Sequence, residues 1–154
     1  MISAEDLTGF PVFGHLTAGQ RISLAGVARE CHYGEGERLF REDEPATGCW
    51  VIRGGRVSLG MAVPGRGQVI LQTLHERDVV GWSWLVPPYR WTFTATAAEP
   101  VETVRFDAHR VRALTQQDPT LCCGLLLGLF EGLLGRLQST RLRLLDVYGS
   151  PRDR

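Results

Sequence analysis

Apolar and polar positions divide the chain into three stretches with different periods. Residues 1–30 read as short helices: Thr17-Ala18-Gly19-Gln20 fits a capping box, and Ile22, Leu24, Ala25 and Ala28 form a helical apolar face behind it. Residues 31–106 read as β. Short runs at Arg38–Phe40, Trp50–Arg53, Val57–Ala62, Val69–Leu74, Trp91–Ala97 and Val101–Phe106 are separated by glycine-rich breaks. Gly54-Gly55 is a hairpin signal and Pro64-Gly65-Arg66-Gly67 a second turn. Runs this close together predict a sandwich or barrel rather than a parallel α/β sheet. Residues 107–148 return to helical spacing. Asp107 or Ala108 opens a short helix ending near Gln117, and Asp118-Pro119 supplies an N-cap with proline in the first helical position. The pattern then runs to about Tyr148, where Gly149-Ser150-Pro151 stops it. The whole, residues 1–154, reads as one domain, mainly β with flanking helices.

The last helix carries two patterns. Cys123, Leu126, Phe130, Leu133, Leu137, Thr140, Leu144 and Val147 recur in steps of three and four, the spacing of a helix-pair seam. On another face Gly124, Gly128 and Gly132 repeat every four residues, each costing about 1 kcal/mol relative to Ala. That cost suggests close approach of another backbone, from the β region or from a partner helix. With Leu125, Leu127, Leu129 and Leu134 added, the helix is apolar nearly all round and needs cover on more than one side. A homodimer through this helix is the expectation, with a helix packed wholly on its own domain as the alternative.

Composition narrows the function classes. With 17 basic residues, all Arg, against 17 acidic ones, the formal net charge is zero, which argues against a dedicated nucleic-acid binder. The start, Met1-Ile2-Ser3-Ala4-Glu5-Asp6, lacks the basic and apolar segments of a signal peptide. The apolar run from Leu121 to Gly135 falls short of the ~20 residues of a membrane span, so a cytoplasmic protein with no membrane contact is expected. Arg136, Arg141, Arg143, Arg152 and Arg154 read as a solvated helix face and tail. Cys31, Cys49, Cys122 and Cys123 form no C-x-x-C, and His15, His32, His75 and His109 are too scattered for a metal set. Ser83 lies in Gly-x-Ser-Trp-Leu, without the closing glycine of a nucleophile elbow. A chain without Lys cannot carry a Walker lysine. An enzyme is not expected.

The string from Tyr33 to Leu59 points to a family. Gly36-Glu37-Arg38-Leu39-Phe40, the acidic turn Asp43-Glu44, Trp50-Val51-Ile52 and Gly55-Arg56-Val57 resemble the opening strands of the cyclic nucleotide-binding domain, the sensor of catabolite-activator-type regulators. Leu71 to Gly81 resembles the lead into that family's phosphate-binding cassette, and Val101-Glu102-Thr103-Val104 the strand after it. The resemblance implies a jelly-roll sandwich (a double-stranded β-helix) with a long C-terminal dimer helix, and a cyclic nucleotide as the candidate ligand.

In the family a glycine and a ribose-binding Glu open the cassette, a small residue and Leu follow, and an Arg meets the cyclic phosphate beside a helix N-terminus. Here the candidate cassette is Gly81, Trp82, Ser83, Trp84, Leu85, Tyr89, Arg90 and Thr92. Gly81 and Leu85 match. Trp82 stands at the ribose Glu and Trp84 at the small residue. Arg90 is the candidate phosphate Arg, yet counting back from Val101 puts Tyr89 in that place, and a one-residue slip in a strand turns a side chain to the other face. Trp82, Trp84, Tyr89, Trp91 and Phe93 are expected to cluster around Pro87-Pro88. They would line a pocket for a different flat ligand, fill the pocket themselves, or leave room for a nucleotide.

The resulting expectation is a non-enzymatic regulatory module with doubtful binding of cyclic AMP or cyclic GMP, dimeric through Leu126, Phe130, Leu133, Leu137, Thr140 and Leu144. Its rivals are a sensor of another small molecule and an interaction subunit that uses the apolar helix on a different protein. Family regulators place a helix-turn-helix after the dimer helix; nothing in the remaining residues can enter a DNA groove, so direct DNA binding is not expected.

Overall fold

A computed structural model describes residues 1–149. Helices α1 (Ala4–Thr8) and α2 (Ala18–Ala25) flank a 3-10 turn at Pro11–Phe13. Eight strands follow: β1 (Ala28–Tyr33), β2 (Arg38–Phe40), β3 (Gly48–Gly54), β4 (Val57–Val63), β5 (Gly67–Leu74), β6 (Val79–Val80), β7 (Thr94–Ala97) and β8 (Val101–Asp107). Helices α3 (Ala108–Gln117) and α4 (Pro119–Gly149) close the chain. The strands form two four-stranded antiparallel sheets, ordered β1-β8-β3-β6 and β2-β7-β4-β5. This is the expected jelly-roll sandwich.

Alternation along β3 sets the two sides of its sheet. Trp50 faces the opposite sheet, where Phe40 and Trp91 stack with ring centroids 3.8 Å apart and Trp50 lies 5.4 Å from Phe40. Val51 points the other way, and with Val79 and Phe106 it meets Val12, Phe13, Leu24, Val111, Leu125 and Leu129 of the helical layer. The fit there leaves a void of only about 10 Å³.

Both helix starts follow their predicted caps. The Thr17 hydroxyl accepts from the Gln20 amide at 3.2 Å, and the Gln20 side chain accepts from the Thr17 amide at 3.0 Å. The Asp118 carboxylate accepts from the amides of Thr120 and Leu121 at 3.0 and 3.1 Å, with Pro119 in the first helical position. Gln20 also reaches Asp118 and Thr120, tying α2 to the start of α4.

Two expectations need correction at the N-terminal boundary and the cassette strand. Ala28 belongs to β1, not to the helical face of α2, because Gly26 already turns its amide back onto Ile22 and Leu24. Trp91–Phe93 lies outside any strand; β7 begins at Thr94. The expected stop at Gly149-Ser150-Pro151 falls at the edge of the described residues, and Arg152 and Arg154 lie outside them.

The glycine stripe of α4 packs on its own domain. A Cβ on Gly128 would lie 1.9 Å from the Val12 carbonyl oxygen, and one on Gly124 would lie 3.1 Å from that of His15. Each glycine costs the helix about 1 kcal/mol, but their absence of side chains lets Leu121, Leu125 and Leu129 bury, at about 1.5–3 kcal/mol each. The other stripe is largely open to solvent: Phe130 is 61% and Leu144 52% exposed. By length and composition α4 would also suffice to cross a membrane, although its first half is seated on the 3-10 turn through the buried leucines.

Candidate functional site

The cassette begins where β6 ends. Gly81 has φ +93°, and a Cβ there would lie 2.9 Å from the Trp91 indole, so both backbone and space require glycine. Trp82 follows, then a 3-10 turn over Ser83–Leu85.

Two arginines from the C-terminal helices hold this segment. Arg112 of α3 donates to the Trp84 carbonyl and lies over the rings of Tyr89 (4.9 Å) and Trp84 (5.9 Å). Arg136 of α4 donates to the Val79 carbonyl and lies 5.1 Å from the centre of the Trp82 ring. Burial pushes the Arg136 guanidinium below the ordinary arginine range, and the Asp78 charge works the other way. It stays a cation, because a guanidinium does not deprotonate in proteins. Among the described residues no carboxylate comes within 4.0 Å of it.

Trp82 and Arg136 form a shared wall between two clefts. One, of about 320 Å³, is bounded by Phe40, Leu59 and Gln72 of the sandwich, by Gly81–Ser83 and Trp91–Phe93, and by Leu133, Arg136, Leu137 and Thr140 of α4. The other, of about 270 Å³, lies between Arg77–Val79, Pro11-Val12 and Gly128, Glu131 and Gly132 of α4. The first is apolar on most of its surface. Among the described residues its polar lining is Gln72, three hydroxyls and one cation, with no carboxylate.

Four of the eight expected cassette residues reach this cleft: Gly81, Trp82, Ser83 and Thr92. The other four do not. Trp84 is buried against Cys49 and Phe106 in the helical layer. Leu85 packs on the core beside it. Tyr89, at φ +57°, lies under Arg112.

Arg90 is exposed and pairs with Pro45 across a single bridge. The reason is alternation in an extended segment. The Trp91 amide donates to the Glu44 carbonyl at 2.9 Å, and the Trp91 ring turns inward onto Phe40, so its neighbour turns outward. The expected five-ring cluster is likewise redrawn as a Phe40–Trp91–Trp50 stack, with Trp82 and Trp84 each taken by an arginine.

Sequence reasoning missed Arg136, which it assigned to a solvated face. It also gave Leu133, Leu137 and Thr140 to the dimer seam alone, whereas all three border the cleft. The helical period does carry one signal, since Leu133, Arg136, Leu137 and Thr140 share a face at i, i+3, i+4 and i+7. Cys49, beside Trp84, is not a reactive thiol: burial pushes its pKa up to about 12.

A two-sheet antiparallel roll packed against a long C-terminal helix defines a jelly-roll domain with flanking helices. The chain belongs to the cyclic nucleotide-binding domain family, whose model matches residues 30–118. A Geobacter metallireducens GS-15 protein described as cyclic nucleotide-binding is 26% identical, with 89% of this chain and 99% of that one covered and a TM-score of 0.81. The N-terminal domain of a transcriptional regulator from Streptomyces coelicolor A3(2) shares the fold at 24% identity, covering 90% of this chain and 94% of that one, with a TM-score of 0.68. A Rhodopseudomonas palustris protein described as a potassium channel is 26% identical over 139 residues, 90% of this chain. This chain spans about a third (32%) of that protein's length.

Proposed function

We propose that this chain is a non-catalytic sensor module in which a small molecule bound between the sandwich and α4 sets the position of that helix. The observation that carries the reading is the composition of the cleft: Phe40, Leu59 and Gln72 of the sandwich border it together with Leu133, Leu137 and Thr140 of α4. A ligand touching both has unequal affinity for two placements of α4, which is the requirement for coupling. Among the described residues the lining holds hydroxyls but no histidine or carboxylate to activate one, which supports binding rather than catalysis.

Cyclic AMP and cyclic GMP are poor fits. Trp82 replaces the carboxylate that would accept a ribose hydroxyl, a charge-assisted bond worth about 1.5–3 kcal/mol, or roughly ten- to a hundredfold in affinity. Arg90 faces away from the cleft. The output surface is the exposed stripe of α4, and its occupant is a second copy of the chain, in a cytoplasmic homodimer. The same stripe would serve a subunit of a larger assembly; Leu142, Leu144, Leu145 and Val147 extend it beyond the part of α4 seated on the domain.

Tryptophan fluorescence reports on the cleft directly, since Trp82 and Trp91 line it. Titration with cyclic AMP, cyclic GMP and small organic acids, followed by hydrogen exchange of α4, tests the reading. Binding of one of them with changed protection in α4 supports it. Binding that leaves α4 protection untouched removes the sensor role.

A further inference from the structure

Arg136 departs from the rest of the cleft. Among the described residues it is the one cation in a lining dominated by Phe40, Leu59, Trp91 and Phe93, and no described carboxylate within ion-pair distance balances it. Its known contacts, the Val79 carbonyl and the Trp82 ring, engage one edge and one face of a guanidinium with five donors. The same wall carries the Trp82 indole N–H, buried and without an acceptor. Desolvating a cation without a counter-charge is costly, and an anion entering the cleft would offset that cost. Asp78, whose charge acts on Arg136, lines the other cleft and not this one.

We infer that Arg136, on α4, is the anion-binding residue of this cleft, and that the ligand it selects is a small aryl carboxylate whose flat apolar body packs against the Phe40–Trp91 stack. The inference rests on the sensor reading above and adds the ligand's class. A planar carboxylate matches the guanidinium fork and needs no ribose-binding carboxylate at position 82. Because the cation sits on α4, the ligand's charge would pull on that helix directly.

The test uses the full chain and follows Trp fluorescence with benzoate, indole-3-acetate, its neutral counterpart indole-3-acetamide, and cyclic AMP. Wild type is expected to bind an aryl carboxylate about tenfold or more tightly than the amide, with R136Q losing about tenfold or more. R136K keeps part of the affinity, R90Q all of it, and thermal melts establish that each variant folds. Equal binding by R136Q and wild type, or equal binding of acid and amide, overturns the role of Arg136 while leaving the sensor reading intact. Cyclic AMP binding more tightly than either acid overturns the ligand class alone. Failure of all four probes to bind overturns the ligand class, and an α4 whose exchange responds to no small molecule overturns the sensor reading as well.

Discussion

Arg136 lies 5.1 Å from the centre of the Trp82 ring while donating to the Val79 carbonyl, so one side chain of α4 holds the entry to the cassette from both backbone and ring. Such a cation–π contact contributes about 0.5–2 kcal/mol, more as it is desolvated. Trp82→Glu would exchange the ring for a carboxylate beside the guanidinium. The new carboxylate competes with any ligand acid for Arg136, so affinity for benzoate or indole-3-acetate should fall about tenfold or more. Calorimetric titration checks it; a variant that instead gains aryl-acid affinity is incompatible with Arg136 as the anion contact.

Gly128 and Gly135 lie on the same helix in opposite circumstances. A Cβ at Gly128 would strike the Val12 carbonyl, whereas one at Gly135 meets nothing within 4 Å. Gly128→Ala should cost about 1–3 kcal/mol, overpacking outweighing the propensity gain. Gly135→Ala should stabilise by up to about 1 kcal/mol. Urea unfolding of both distinguishes the cases, and equal effects would show that α4 does not sit on the 3-10 turn as described.

Phe130 and Leu144 belong to the exposed stripe of α4 without lining either cleft. Phe130→Glu and Leu144→Glu should each convert a dimer to monomer in sedimentation equilibrium, leaving the melting of the sandwich nearly unchanged. A wild-type chain that sediments as monomer across micromolar concentrations rules out the self-association and favours a different protein on the stripe.

Asp118 caps α4, and its carboxyl is held below the ordinary Asp value first by the Thr120 hydroxyl, then by the Leu121 amide, then by Gln20. A carboxyl depressed in the folded state contributes stability that is present above the unfolded pKa and lost as pH falls through the folded one. The melting temperature of wild type should therefore exceed that of Asp118→Asn at neutral pH, with the gap closing as pH drops below about 4. A gap independent of pH would falsify a charge-dependent cap.

How far the sequence carried the fold depends on how local each signal is. The hairpin at Gly54-Gly55 and both long-helix caps were legible because their partners lie within a few residues. Strand β1 was not, because as the edge strand of its sheet it exposes Arg29 and Glu30 and shows no apolar alternation. Strand β6 was missed because two residues carry no period. The glycine stripe announced a close backbone approach, but only the fold shows that the backbone is that of Val12 and His15.

The sequence by itself determined the family, most of the jelly-roll strands and the long capped helix. Each follows from residue identity, spacing or short-range hydrogen bonding. Only the tertiary structure decided which arginine serves the cleft. Arg90 is next to the cassette in the chain, but the inward turn of Trp91 sends it out to solvent. Arg136 is 54 residues beyond Trp82, and the packing of Gly124 and Gly128 against the N-terminal segment sets α4 at the depth that brings its guanidinium onto that ring. Helical periodicity describes which residues share a face; what that face meets is settled by long-range packing, which no local pattern encodes.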